Sequence, residues 1–133
     1  MIDTDTKRPY TLVKRAWCAE AAEALRGTFV GEAGEKRIVD GVMSERMELW
    51  RVNDDSWAVT EVMHGMLFLW CYAGRGSIQF VERLVRVARG MGLEQVSFFS
   101  YHKGAARLWH HYNPRKIPGA NPGEVQYIFE VKV

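Results

Sequence analysis

Cysteine is scarce in this sequence. Its 133 residues hold two, Cys18 and Cys71, far apart and in no metal-ligand or redox spacing. That excludes a disulfide-framed domain and a cysteine-based metal module. Two free, mostly buried thiols are the first reading, and a single bridge between them is the alternative. Long apolar runs are also missing, because arginine, glycine or serine interrupts each one before it reaches the length of a membrane span. The start, MIDTDTKRPY, is acidic and polar, unlike a secretion signal. No repeat, no low-complexity tract, no Ser-His-Asp or Cys-His set and no metal cluster can be found by spacing. These absences predict a soluble, cytoplasmic protein without a membrane partner. It would form one domain over residues 1–133, with residues 1–9 as a flexible arm, and is long enough to bury a core.

Charge is present but unevenly placed. The net +2 hides nine Lys/Arg and twelve Asp/Glu in residues 1–66, against nine and four in residues 67–133. A basic second half suits an anionic partner, either a phosphorylated cofactor or a nucleic acid, although an excess this small requires neither.

Periodicity supplies the elements. Residues 12–26, LVKRAWCAEAAEALR, are alanine-rich, with apolar residues at helical spacing, and predict a first helix. A second, short helix is expected from about Glu35. Arg46–Val52, Trp57–Met63 and Met66–Ala73 then read as strands of an antiparallel meander, joined at Asn-Asp-Asp-Ser and at His64-Gly65. The third strand is apolar on both faces, which places it centrally. After Gly76 the helical period returns. Phe80, Leu84, Val87 and Met91 form one stripe, Ile78, Val81, Val85 and Ala88 its neighbour, and Arg83, Arg86 and Arg89 a ridge facing solvent. Gly90 and Gly92 end this helix. A strand over Gln95–Tyr101, a short helix over Lys103–Tyr112, a short strand near Arg115–Ile117 and a closing strand from Glu124 complete the chain. The helix after Gly76 joins two strands as a crossover, which calls for a parallel pair. The fold class is therefore α/β (α+β): a mixed, mostly antiparallel twisted sheet flanked by helices, with one parallel pair bridged by the main helix.

The stretch Cys71-Tyr72-Ala73-Gly74-Arg75-Gly76 resembles the Gln/Arg-x-x-Gly-x-Gly/Ala turn of the GNAT (Gcn5-related N-acetyltransferase) superfamily, with cysteine in place of the first Gln/Arg. His102-Lys103-Gly104-Ala105-Ala106-Arg107-Leu108-Trp109 is similar to that family's Asn-x-x-Ala-x-x-Leu-Tyr helix, keeping Ala105 and Leu108 and replacing Asn by His102 and Tyr by Trp109. WAVTEV, LFLWCYAGRG and KGAARLW also resemble small bacteriophage and prophage GNAT-like proteins, including internal virion proteins. The resemblance covers roughly Arg46 to Val133.

The resemblance implies acetyl-CoA or coenzyme A as cofactor. It implies a turn whose backbone groups at Trp70, Cys71, Tyr72, Ala73, Gly74, Arg75, Gly76 and Ser77 hold the pantetheine arm and pyrophosphate. The physics agrees: helix N-termini bind anions, glycines permit close backbone approach, and Arg75 adds charge. A strand-to-helix turn with no ligand explains the same residues. For chemistry, Glu61 is the candidate base, since it shares a strand face with Trp57, Val59 and Met63 and should be partly desolvated; an exposed position or a pairing with a nearby arginine is the rival. His102 follows a strand end and is a further candidate. Tyr112 is the candidate acid, or a core residue. Two functions follow. One is an acyl-CoA-dependent N-acyltransferase of a small-molecule or protein amine. The other is a catalytically inactive phage or prophage structural module of the same fold, with a homodimer or virion partner, located in the bacterial host cytoplasm or the virion. Modification of a nucleic-acid base is a weaker third.

Overall fold

The computed structural model describes residues 10–29, 31–100, 114–119 and 123–131. Strand β1 (Leu12–Arg15) leads to helices α1 (Ala19–Leu25) and α2 (Gly31–Met43). Strands β2 (Glu48–Val52), β3 (Ser56–Met63) and β4 (Met66–Ala73) form the meander. Helix α3 (Ser77–Gly90) crosses to β5 (Gln95–Ser100), and β6 (Arg115–Pro118) and β7 (Val125–Glu130) close the sheet. The strand order is β1-β2-β3-β4-β5-β7-β6, so β4 is central, as its two apolar faces predict. Every neighbouring pair is antiparallel except β4–β5, which is parallel.

Local chemistry explains most of these elements. His64 and Gly65 both take positive φ, 50° and 75°, as a two-residue hairpin of matching twist requires. Gly92, at φ 75°, closes α3: its N–H donates to the Arg89 carbonyl, and the Leu93 N–H donates to the Ala88 carbonyl, a Schellman ending.

Two sequence expectations change. The helix predicted over residues 12–26 splits, and its first four residues form β1 instead. Leu12 and Val13 satisfy a helical period, but the segment is tied to β2, with Thr11 N–H donating to Asn53 Oδ1 and Asn53 N–H to the Thr11 carbonyl. Four residues are too few for a strand alternation to declare itself. The second helix starts earlier than Glu35, at Gly31, despite three glycines. One of these, Gly41, lies so close to Met47 that a side chain there would overlap it. The helix expected over Lys103–Tyr112 lies outside the described residues, as does the arm 1–9.

The sheet buries both faces. On one, Ala21, Leu25, Ile38 and Val42 from α1 and α2 pack on Met47, Leu49, Trp57, Val59 and Cys71. On the other, Phe80, Val81, Leu84, Val85 and Ala88 of α3 pack on Leu67, Leu69, Val96, Phe98, Tyr127 and Phe129, among others. Met91 ends its predicted stripe 55% exposed, beyond the helix. Among the described residues, no helix is long and apolar enough to cross a membrane.

Candidate functional site

The central strand carries an irregularity that its apolar sequence conceals. Val59 pairs with Cys71, but Thr60 pairs with Leu69. Trp70 is therefore an extra residue, a β-bulge. The bulge turns two consecutive side chains to one face. Cys71 is part of the core beneath α1 and α2, and Trp70 packs against that core. Beyond it, Tyr72 faces the α3 side, its ring 4.7 Å from that of Phe80.

The same point marks a parting of strands. The parallel register of β4 with β5 ends at Leu69↔Phe98. Past it, β4 stays paired with β3 up to Trp57↔Ala73, and β5 with β7 up to Ser100↔Val125. Each strand keeps its outer partner while the two leave each other. The parting leaves the backbone of Trp70–Ala73 as a wall of β4 that β5 no longer pairs.

That wall runs into the Gly74–Gly76 turn, which the protein pins from below. Ser56, fully buried, accepts a hydrogen bond from the Arg75 N–H at 3.1 Å and donates to Asp55 Oδ1 at 2.8 Å. The Tyr72 hydroxyl donates to the Arg75 carbonyl. Burial, ahead of the nearby Asp55 charge, raises the Tyr72 pKa, so the phenol keeps the proton it donates. The two glycines do different work. A Cβ on Gly74, at φ 136°, would overlap Ser56; the sequence had read this glycine as room for a phosphate, but the close neighbour is protein. Gly76, at φ 71° and ψ 38°, is the left-handed N-cap of α3 and offers no side-chain cap. A Cβ there would meet only Gln79 Oε1, at 3.3 Å. The turn ahead of α3 is exposed at Gly74, Arg75 and Gly76, and a helix start offers first-turn N–H groups without intrahelical acceptors and the positive end of the dipole. Ser77 sits first in that helix.

The arginine ridge is less uniform than its spacing implied. Arg83 stacks over the Tyr10 ring at 4.7 Å, and Arg89 Nε donates to the Val131 carbonyl at 2.9 Å. Burial, together with the neighbouring Tyr72, raises the Tyr10 pKa to about 12, so Arg83 covers a neutral phenol. Two of the three guanidiniums thus serve the fold, and Arg86 is exposed.

Glu61 faces the bulge. Its Oε1 accepts the Trp70 indole N–H at 3.0 Å, and Arg46 Nε lies 3.7 Å from its Oε2. The carboxylate side chain is only 13% exposed, as its strand face predicted, and the arginine pairing is real as well. Sequence reasoning missed Ser56, the indole bond of Trp70 to Glu61, and Arg46 as the arginine beside that carboxylate. No pattern announces a serine that anchors a turn nineteen residues away, and a bulge within an all-apolar strand leaves no periodic mark. His102 and Tyr112 lie outside the described residues.

Cys71 is not chemically available. Burial pushes its thiol pKa up to about 12, a hydrogen bond with Thr28 only partly offsetting it, and both cysteines are free. With a thiol-reactive dye in native buffer, the half-buried Cys18 should label first. Cys71 should label only when the protein unfolds. Equal native rates would contradict the packing around Cys71.

Solved structures share this fold. An acetyltransferase of Bacillus subtilis, crystallised in complex with CoA, superposes with a TM-score of 0.67 at 10% identity, over 92% of this chain and 99% of that one. A Desulfovibrio desulfuricans protein assigned to the GNAT family of acetyltransferases gives 0.60 at 14% identity, over 92% and 99%. The chain has the GNAT fold. The ribosomal-protein-S18-alanine N-acetyltransferase of Escherichia coli is also similar, at TM-score 0.60 and 12% identity, over 92% of this chain and 96% of that one. No protein-family model matches the sequence, and no curated protein matches it either. The GNAT likeness is one of backbone fold.

Proposed function

We propose that the protein is an acyl-CoA-dependent N-acyltransferase. The observation that carries this reading is the parting of β4 from β5 at the Trp70 bulge, leading directly to the open N-terminus of α3. Coenzyme A matches both halves of that feature. The pantetheine arm carries amides that suit an unpaired strand edge, here the backbone of Trp70, Cys71, Tyr72 and Ala73. The pyrophosphate suits the first-turn amides of α3 behind Gly76 and Ser77, with Arg75 as an exposed counter-charge. The neighbour crystallised with CoA supports the same reading. Gly74 belongs to the turn's foundation rather than to its binding surface.

When bound, an acyl-CoA supplies a thioester whose acyl group passes to an amine as the carbon–sulfur bond breaks. The chain's own residues have simpler tasks. Glu61 receives the amine's proton through Oε2, the oxygen held only by the loose Arg46 contact. Trp70 fixes the other oxygen and so the orientation of the carboxylate. His102 and Tyr112 are offered as further proton carriers on sequence grounds alone, Tyr112 as the acid that would protonate the departing thiolate.

One observation favours the alternative, a binding or structural module of phage type without catalysis. The Arg75 amide is already bonded to Ser56, which removes one donor from the turn. Thermal unfolding with acetyl-CoA separates the two. Saturation at a hundred times Kd should stabilise the protein by roughly 2.7 kcal/mol. Arg75→Glu, an exposed change, should leave the unliganded melting temperature nearly unmoved and weaken acetyl-CoA binding by about tenfold, equivalent to ~1.4 kcal/mol. No shift at millimolar acetyl-CoA would sink the enzyme reading.

A further inference from the structure

The face of the sheet beside Glu61 is more particular than a generic amine site. Three aromatic rings run in a row from the carboxylate outward. The Trp70 indole bonds Glu61 Oε1. The Phe68 ring stands edge-on to Trp70 with centroids 4.8 Å apart, and Phe99 stands edge-on to Phe68 at 5.5 Å. Phe68 is also the cross-strand partner of Glu61. The row spans the two strands where they part, since Trp70 and Phe99 are the first residues beyond the last registered pair, Leu69↔Phe98.

The burial of these groups is graded. Phe68 is nearly closed off, at 5% exposure, and Phe99 is open, at 41%. A large exposed phenylalanine in ring contact with a buried one forms the outer rim of an apolar wall. At the inner end, Glu61 is held firmly on one oxygen and loosely on the other. Its partner on the loose side, Arg46, has a side chain 55% exposed at 3.7 Å, longer than a hydrogen bond. A ligand ammonium can displace such a contact at little cost.

We infer that the acceptor is a primary amine carried on an aromatic ring by a short, uncharged arm. This rests on the acyltransferase reading for the meaning of "acceptor", but the binding site stands on its own contacts. The ammonium meets Glu61 Oε2 in place of Arg46, where the carboxylate favours a cation. The ligand's ring lies against Phe99, the exposed end of the row. An acidic compound is repelled by Glu61, and an amine without a ring forfeits the wall.

Calorimetric titration of the whole protein with 2-phenylethylamine, ethylamine and phenylacetate tests this, both without nucleotide and with CoA present. 2-Phenylethylamine should bind at least about tenfold more tightly than ethylamine, and phenylacetate should not bind. Glu61→Gln and Phe99→Ala should each weaken 2-phenylethylamine by a similar factor. Arg46→Ala should tighten it, because that change frees Oε2; a merely structural role for Arg46 would give no gain. Equal binding of the two amines, or indifference to the Glu61 and Phe99 changes, overturns the assignment whether or not CoA binds. Tight 2-phenylethylamine binding in a protein that ignores acetyl-CoA keeps the amine site and removes the acyltransferase reading.

Discussion

Gly74→Ala should destabilise the protein by about 3 kcal/mol or more, lowering the melting temperature by roughly 10 °C. Two penalties combine. The backbone at φ 136° is territory an alanine rarely enters. The added Cβ would overlap the Ser56 Oγ and Cβ and lie 2.8 Å from its Cα. Ser56 is fully buried at the start of β3, so the collision is with the sheet itself and no flexible side-chain tip can yield. Ser56→Gly removes two of the three clashing atoms and should recover part of the loss in the double variant, a coupling measurable in a double-mutant cycle. Gly74→Ala melting like the parent would show that turn and strand do not meet so closely. The same contact makes Gly74 a poor probe of ligand binding, because a large residue there tests folding first.

Glu61→Gln should lower kcat for amine acetylation by about a hundredfold, with the stabilisation by acetyl-CoA unchanged. The amide oxygen still accepts the Trp70 N–H, so the strand face keeps its geometry and only the proton acceptor is lost. The loss should fall on kcat/KM for the amine and spare the cofactor. Undiminished turnover would remove Glu61 from the reaction.

How far the sequence discloses this molecule depends on the length scale of each feature. The hairpin at His64-Gly65 and the ends of β4 were legible because they are set by adjacent residues. The parallel β4–β5 pair was legible because a helix-length crossover permits little else. Strand β1 was not, since its identity comes from Asn53 and β2, some forty residues on. The site divides in the same way. The half-buried position of Glu61 was legible because its face alternates with buried neighbours. Trp70 was named as backbone for a cofactor, but its bulge, and hence its indole bond to Glu61, depends on a register mismatch with β3 that no single strand records. The arginine ridge was legible as a side, with Arg86 and Arg89 exposed and Arg83 half-buried, but helix spacing does not show that a tyrosine and a carbonyl engage two of its members.

The two outer strands of the sheet, β1 and β6, share a property that bears on what the molecule does in company. Each is four residues long. One rim presents Lys14 and Arg15, and the other Arg115, Lys116 and Pro118. A further chain adding itself edge-on at either rim would have to line up with like charges, and at Pro118 would find no N–H to pair with. Growth of the sheet into fibrils is thus opposed at both ends. This is a safeguard for a protein whose central strand, MLFLWCYA, is the sort of uncharged apolar segment that polymerises readily once exposed.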